Sequence, residues 1–247
     1  MKKEIAEKIL KDTEAGYDLI SEKFSQTRKH FWRGLEFIKD YCAENDKVLD
    51  WGCGNGRLLE LIGDKNIDYF GFDVSQSLIW KARNKYKSDN LHFSKINPVQ
   101  GTIPLADNFF NTIYSIAVFH HFPSKKYRQD VARELFAKTK KGGRIVITVW
   151  YLFPASTHGN DRSSTRGGQK RYFKNILKNW LEKLRGKSFL DWNDCEISFT
   201  DNQGQKFQRF HHAFTKRELK QLFQQAGFEI EKCEIVDGRN ILLIGRK

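Results

Sequence analysis

Only four cysteines, four prolines and one methionine occur among 247 residues. The cysteines (Cys42, Cys53, Cys195, Cys233) are scattered and form no C-x-x-C pair, so neither a zinc ribbon nor a disulfide framework is expected, and a reducing cytoplasm fits best. No run approaches about 18 uncharged apolar residues, so no membrane span is expected. The opening Met1-Lys2-Lys3-Glu4-Ile5-Ala6-Glu7 alternates in charge and has no apolar signal-peptide core. Metal-ligating residues show no zinc-site spacing, and no metal is expected. Acidic charge is scarce: 30 Asp/Glu face 43 Lys/Arg, for a net charge of +13. Between Ala155 and Leu190 nine Lys/Arg face only Asp161 and Glu182, so about half of the excess sits in one seventh of the chain.

What is abundant is glycine in one place. Val48-Leu49-Asp50-Trp51-Gly52-Cys53-Gly54-Asn55-Gly56-Arg57 runs from an apolar strand through an acid into glycines at every second position, and helix-forming Leu58-Leu59-Glu60-Leu61-Ile62 follows. Such a turn brings bare backbone to a ligand at the strand-to-helix junction where open α/β sheets bind cofactors. The spacing is G-x-G-x-G with a preceding acid, not the G-x-G-x-x-G of dinucleotide binders. Asp73 closes the apolar run Tyr69-Phe70-Gly71-Phe72, placed to accept from the two ribose hydroxyls of a nucleoside ligand. A basic block beside a nucleoside motif points to a polyanionic substrate rather than to a solvated face alone.

The length suits one elaborated domain over 1–247. Periodicity predicts helices in the first 45 residues, with Tyr17, Ile20 and Phe24 on one face and Phe31, Leu35 and Ile38 on another. Strands are expected near 47–51, 68–73, 91–94, 111–118, 143–150, 228–235 and 240–246. Helices are expected near 57–63, 76–87, 124–140 and 215–226. Strands separated by helices argue for an α/β fold: a Rossmann-like, seven-stranded, mostly parallel sheet with helices on both faces. Asp237-Gly238-Arg239-Asn240 signals a C-terminal antiparallel hairpin. A basic insertion over 152–212 interrupts the pattern after the fifth strand. Within it Ser163 to Lys170 reads as a mobile loop, and Tyr172, Phe173, Ile176, Leu177, Trp180, Leu181 and Leu184 recur at helical spacing.

Two further clusters carry chemistry. Ser115-Ile116-Ala117-Val118-Phe119-His120-His121 places paired histidines at a strand end facing the reactive end of a bound cofactor, with His120 the preferred pocket residue. Arg209-Phe210-His211-His212-Ala213-Phe214-Thr215 sets an arginine and aromatics before the last helix. Arginine offers a planar fork for a carboxylate or phosphate, while Thr215 with Glu218 makes a capping box.

The motifs FSQTR, VLDWGCGNGR, SIAVFHHF, GGRIVITVW and RFHHAFTKREL, in this order, resemble the class I S-adenosylmethionine-dependent methyltransferases that esterify 5-carboxymethyluridine at the tRNA wobble position, of the fungal and AlkB-like-protein type. The resemblance covers roughly 17–151 and 205–247. It implies that Asp50, Gly52, Cys53, Gly54, Gly56, Asp73, Val74 and Ala117 hold S-adenosyl-L-methionine, with S-adenosyl-L-homocysteine as product. It further implies Arg28, His120 and Arg209 at the catalytic centre. Trp150, His121 and His212 would meet the acceptor. The basic insertion lies outside the resemblance; its charge alone places Arg166, Lys170 and Arg171 on the anticodon-loop backbone. Eukaryotic members use a small zinc-binding activator subunit, an expected partner. The chain departs from the pattern at the adenine side, where Asn97, Gln100 or a backbone group must replace an aspartate, and at Tyr151. Two other readings stay open: a methyltransferase for a small carboxylate or another acceptor, and a silent RNA-binding or partner-regulating protein.

Overall fold

The computed structural model describes residues 1–28, 30–32, 34–154, 165–201 and 203–247, the side chains of 165–171 excepted. In chain order the strands are β1 (Lys47–Trp51), β2 (Asp68–Asp73), β3 (Leu91–Lys95), β4 (Phe110–Ile116), β5 (Thr139–Trp150), β6 (Asp194–Thr200), β7 (Lys206–His212), β8 (Glu229–Val236) and β9 (Asn240–Arg246). The helices are α1 (Lys3–Leu19), α2 (Ser21–Thr27), α3 (Leu59–Ile62), α4 (Gln76–Lys85), α5 (Lys125–Lys138), α6 (Thr165–Leu184) and α7 (Lys216–Ala226).

Seven strands form one sheet in the order β3-β2-β1-β4-β5-β9-β8. The first five are mutually parallel, and β9 runs antiparallel to β5 and β8. Strands buried on both faces need apolar residues at successive positions, and Val48-Leu49 and Ile145-Val146-Ile147 supply them. Leu49, Ile113, Ile145, Ile147 and Leu243 pack on one face; Val48, Tyr69, Tyr114, Val146 and Leu242 pack on the other. The strand order reverses between β1 and β4, and at that switch the carboxyl ends leave a crevice.

Several expectations shift in detail. β5 starts at Thr139, not 143, and the helix after the glycine loop shrinks to four residues. The 31–38 stripe gives way to a short 3-10 turn, Glu36–Tyr41. Thr165 to Lys170, expected as loop, opens helix α6; Ser163 and Ser164 lie outside the described residues. α6 docks on a hairpin that the sequence reading did not foresee, β6–β7, a separate two-stranded sheet. Buried Ile176 anchors the helix in a small cluster with Cys195 and Ile197 of β6. Asn175 Nδ2 donates to the Glu196 carbonyl (2.8 Å), and the Trp180 indole donates to the Trp192 carbonyl.

Candidate active site

The glycine loop hangs from β2: the amides of Gly52 and Cys53 both donate to the Phe72 carbonyl, at 2.7 and 3.0 Å. Gly52 has φ +82°, and a Cβ there would sit 2.3 Å from Val118 Cγ2. Gly54, at φ +56°, lies under the Phe24 ring. Only glycine satisfies both the backbone conformation and the space at Gly52, while at Gly54 the left-handed backbone is what favours it. The Gly54 amide donates to one oxygen of Asp73 and the Ser75 amide to the other, each at 2.8 Å. Burial lifts the Asp73 carboxyl to about 6 against the pull of these bonds. Asp50 accepts from the Tyr69 hydroxyl at 2.7 Å, yet burial pushes it to about 7. Both acids are therefore poised to ionise more fully when a partner supplies donors or positive charge.

A cleft with about 1140 Å³ of atom-free space, open mouth included, runs past this loop. Asp50, Gly52, Cys53, Gly54, Asp73, Val74 and Ala117 line it, as the sequence suggests. Gly56 turns away and packs behind the loop against Tyr86 and Phe93. Ile96 and Pro98 form the wall beyond Asp73, whereas the Asn97 and Gln100 side chains are exposed and leave that edge to backbone groups. The Pro98 carbonyl is held by the Tyr127 hydroxyl.

At the other end Arg28, His121 and Trp150 complete the wall. The structure puts His121, not His120, against the cleft. His120 is 0% exposed: its Nδ1 accepts from the Trp150 amide at 3.3 Å, and its ring packs against those of Trp150 and His211, which also contact each other. β4 ends at Ile116 and the chain turns at Ala117 (φ +60°) into a 3-10 turn, Phe119–His121, which rotates the first histidine inward. Arg209 lies behind the wall, 3% exposed, with its guanidinium 3.6 Å over the Phe199 ring and 5.2 Å from that of Tyr17. Its Nε and Nη2 have no hydrogen-bond partner among the described residues. His212 is removed from the cleft: Asp194 binds its Nδ1 at 2.7 Å and Glu218 its Nε2 at 2.8 Å. Glu218 thus leaves the capping box half-made, although Thr215 still accepts from the Glu218 amide at 3.1 Å. Arg166, Lys170 and Arg171 fall on the first turns of α6, where their side chains lie outside the described residues.

Burial holds the three imidazoles of His120, His121 and His211 neutral, His121 down to about 3, with mutual and Arg209 repulsion adding to it. Their nitrogen atoms approach within 4.8 Å of one another. Both His121 nitrogens are already engaged, by the Phe210 carbonyl and the Tyr17 hydroxyl. Two residues of the cleft escaped the sequence reading. Tyr17 passed as part of an apolar helix stripe, and Arg57 as the tail of the glycine motif. Neither Arg28, Arg57 nor Arg209 pairs with a carboxylate among the described residues, whose arginine ion pairs involve Arg128, Arg133 and Arg144.

A Rossmann-like sheet closed by an antiparallel hairpin, with a glycine loop and an acid at the ends of β1 and β2, defines the architecture of the nucleoside-dependent methyltransferases. Residues 24–232 match the family model of the methyltransferase domain, and the chain belongs to that family. It is similar to the tRNA (carboxymethyluridine(34)-5-O)-methyltransferase of Schizosaccharomyces pombe, with 28% identity over 218 residues and 87% of each chain covered. The Arabidopsis thaliana protein of the same name is 32% identical over 134 residues; the match spans 54% of this chain and 31% of the plant protein's length. Among solved structures, an S-adenosylmethionine-dependent methyltransferase of Methanosarcina mazei aligns with TM-score 0.65 at 20% identity, covering 88% of this chain and 98% of that one. A Haloferax volcanii methyltransferase in complex with the Trm112 methyltransferase activator aligns with TM-score 0.57 at 15% identity, covering 92% of each chain. No helix among the described residues is long and apolar enough to cross a membrane.

Proposed function

We propose that the chain binds S-adenosyl-L-methionine and methylates the carboxymethyl group of the wobble uridine in tRNA, forming the methyl ester and S-adenosyl-L-homocysteine. It works as one domain over 1–247, with 1–45 covering the cofactor and 152–212 recognising the acceptor. The cofactor fits the residues present. A side chain at Gly52 or Gly54 would fill the cradle, Asp73 stands where ribose hydroxyls need an acceptor, and Ile96 and Pro98 offer an apolar wall for adenine.

When bound, the cofactor supplies an electrophilic methyl on a positively charged sulfur. A carboxylate acceptor, ordinarily near pKa 4, is already ionised at neutral pH, so no side chain must take a proton from it. The neutral histidines suit that chemistry, since none carries a charge that would compete for the acceptor. The residues' task is alignment and exclusion of water, which is worth roughly 7–11 kcal/mol when geometry is good. Trp150 presents a ring on which a splayed uracil can stack, at about 1–3 kcal/mol, and a base in the anticodon loop reaches it without melting a helix. Arg28 grips the carboxylate or a neighbouring phosphate, with Arg209 as reserve charge behind it. The observation that carries this reading is a buried guanidinium, Arg209, with free donors beside an aromatic slot, together with tRNA-modifying relatives that match along the chain.

The tRNA anticodon loop is the proposed partner, and the basic α6 segment contacts its phosphates. A small zinc-binding activator subunit is a second partner, in line with the activator complex of the Haloferax neighbour. Four unpaired cysteines suit a reducing cytoplasm. The deciding experiment is transfer of labelled methyl to tRNA from cells lacking the wobble methyltransferase, followed by nucleoside digestion and mass spectrometry. Label in a base-labile ester on the wobble uridine supports the proposal. Absence of label with and without an activator, or ribonuclease-insensitive transfer to a small acid, refutes it.

A further inference from the structure

Seven large hydrophobic side chains stand exposed among the described residues, and five of them belong to α6 and the loop that leads from it to β6: Leu177, Leu181, Leu184, Phe189 and Trp192. At about 100° per residue the three leucines fall within about 60° of one another around the helix. Exposed Lys174, Lys178 and Arg185 fall within about 40° on the adjoining side. Buried Ile176 and Asn179 point the opposite way, Ile176 into the β6–β7 hairpin. The outward face of α6 is therefore two parallel stripes, one apolar and one basic, and Glu182 is the one acid in the helix. The loop beyond it is fixed by its main chain. Asn179 Nδ2 donates to the Asp191 carbonyl at 2.8 Å and the Trp180 indole to the Trp192 carbonyl. The Trp192 ring is left 51% exposed, with Lys183 Nζ 5.8 Å from its centroid. Apolar surface kept in water by a pinned backbone marks a contact site.

The surface starts at the acceptor end of the cleft. Tyr172 of α6 stacks on Trp150, with centroids 6.4 Å apart and planes 25° from parallel. Trp180, which holds Trp192, lies roughly 12 Å further along the helix axis, at 1.5 Å per residue. An occupant has to match both stripes. A second copy of this chain does not, because each carries a net charge of +13 and would bring one basic stripe up to another. Duplex RNA meets only the basic stripe, since its bases are stacked inside the helix. An unpaired strand offers phosphates beside open base faces and meets both. We propose that the outward face of α6, with Phe189 and Trp192, is a second RNA-binding surface, on which unpaired nucleotides away from the modified one rest their bases on the apolar stripe and their phosphates on the basic one. The proposal rests on the tRNA reading above and deepens it. Trp150 takes the base to be modified, and the platform holds other nucleotides of the same loop by stacking rather than by base-specific hydrogen bonds.

Binding of the full chain to an unmodified single-stranded anticodon-loop RNA and to duplex RNA of equal length, each across a salt series, tests it. The double variant Phe189→Ala with Trp192→Ala is expected to weaken the single strand on the order of 10- to 100-fold, the loss of stacked bases. Its slope of log affinity against log salt should match that of the wild type, because no charge is removed, and duplex affinity should stay within about twofold. Trp192→Phe, which keeps a ring, should retain most of the single-strand affinity. Unchanged single-strand binding by the double variant overturns the proposal and assigns the apolar stripe to a protein partner. Equal loss on both RNAs overturns it too, since the substitutions then act through the fold of the loop. Either result leaves the tRNA reading standing if the wild type still methylates tRNA. A wild-type chain that binds neither RNA overturns both together.

Discussion

The Tyr17 hydroxyl lies 2.8 Å from His121 Nε2, and the direction of that bond is settled by the other side of the ring. His121 Nδ1 faces the Phe210 carbonyl at 3.2 Å, and a carbonyl can only accept. Neutral His121 therefore carries its proton on Nδ1, and Nε2 accepts from Tyr17. The tyrosine ring meanwhile lies between the cleft and the Arg209 guanidinium. Tyr17 is thus the contact through which α1 fixes the acceptor end of the site. Tyr17→Phe removes one hydrogen bond, so stability should fall by about 1 kcal/mol. Methyl transfer is expected to fall about tenfold in kcat/KM, with S-adenosyl-L-homocysteine affinity within about twofold; parallel titration and steady-state assays separate the two.

Asp50 and Asp73 give a pH dependence whose sign follows from burial. Both folded-state values, about 7 and about 6, lie above the ordinary carboxylate range. The ligand-free folded protein then holds protons that the unfolded chain has released, so stability is lost as pH rises from about 4 toward 7. Asp50→Asn removes part of that loss. Denaturant melts should show the variant more stable than wild type at about pH 8, on the order of 1–3 kcal/mol, with the difference shrinking near pH 4. Cofactor affinity should move the other way and rise with pH up to about 7, as the two acids ionise to meet their partners; titrations in buffers of different ionisation heat will report the proton release.

Arg209 and Asp73 should separate chemistry from binding. Arg209→Ala is expected to lower kcat/KM for methyl transfer about 100-fold and leave S-adenosyl-L-homocysteine affinity nearly unchanged. Asp73→Ala should cut that affinity first. Equal losses in both assays for Arg209→Ala would make it a packing residue over Phe199 rather than a source of charge for the acceptor.

The basic face of α6 should be visible in the salt dependence of RNA binding. Replacing the exposed Lys174 and Lys178 by Gln ought to flatten the slope of log affinity against log salt by about 0.7–0.9 per lost phosphate contact. Filter binding of unmodified tRNA across a salt series measures it. An unchanged slope removes the helix from the RNA footprint.

His212 sits between Asp194, 0% exposed, and Glu218, which also lies 3.8 Å from Arg128. Removing one member of such a buried set strands the others, at about 3–5 kcal/mol. His212→Ala should therefore lower the melting temperature sharply, yet kcat/KM measured where the variant is folded should stay within about threefold. A large loss of activity with stability intact would return His212 to the acceptor.

The sheet was legible because buried parallel strands announce themselves as short apolar runs, and Val48-Leu49, Tyr69–Phe72 and Ile145–Val149 are such runs. The glycine-loop wall of the cleft was equally legible, since a glycine at φ +82° and an acid at a strand end leave marks in composition. The β6–β7 hairpin was not. Its strands pair only with each other, and Cys195 and Ile197 are buried by α6 rather than by a sequence neighbour. The histidine pair misled for a local reason: a 3-10 turn advances each residue by about a third of a revolution, so strand alternation no longer decided which ring faced the cleft. Tyr17 and Arg57 look like a core tyrosine and a loop arginine until distant chain segments close around them.

The groups proposed to hold the nucleoside lie mainly on 47–98, whereas the proposed acceptor end draws on Trp150 and on a hairpin that closes at 212, with α1 spanning both. The two recognition tasks are written on different lengths of chain and meet only across the cleft. Swapping 152–212 for the matching piece of another methyltransferase should therefore exchange one acceptor for another while the donor half is left as it is. A lineage built on this plan can change what it modifies by editing a single paragraph of its gene.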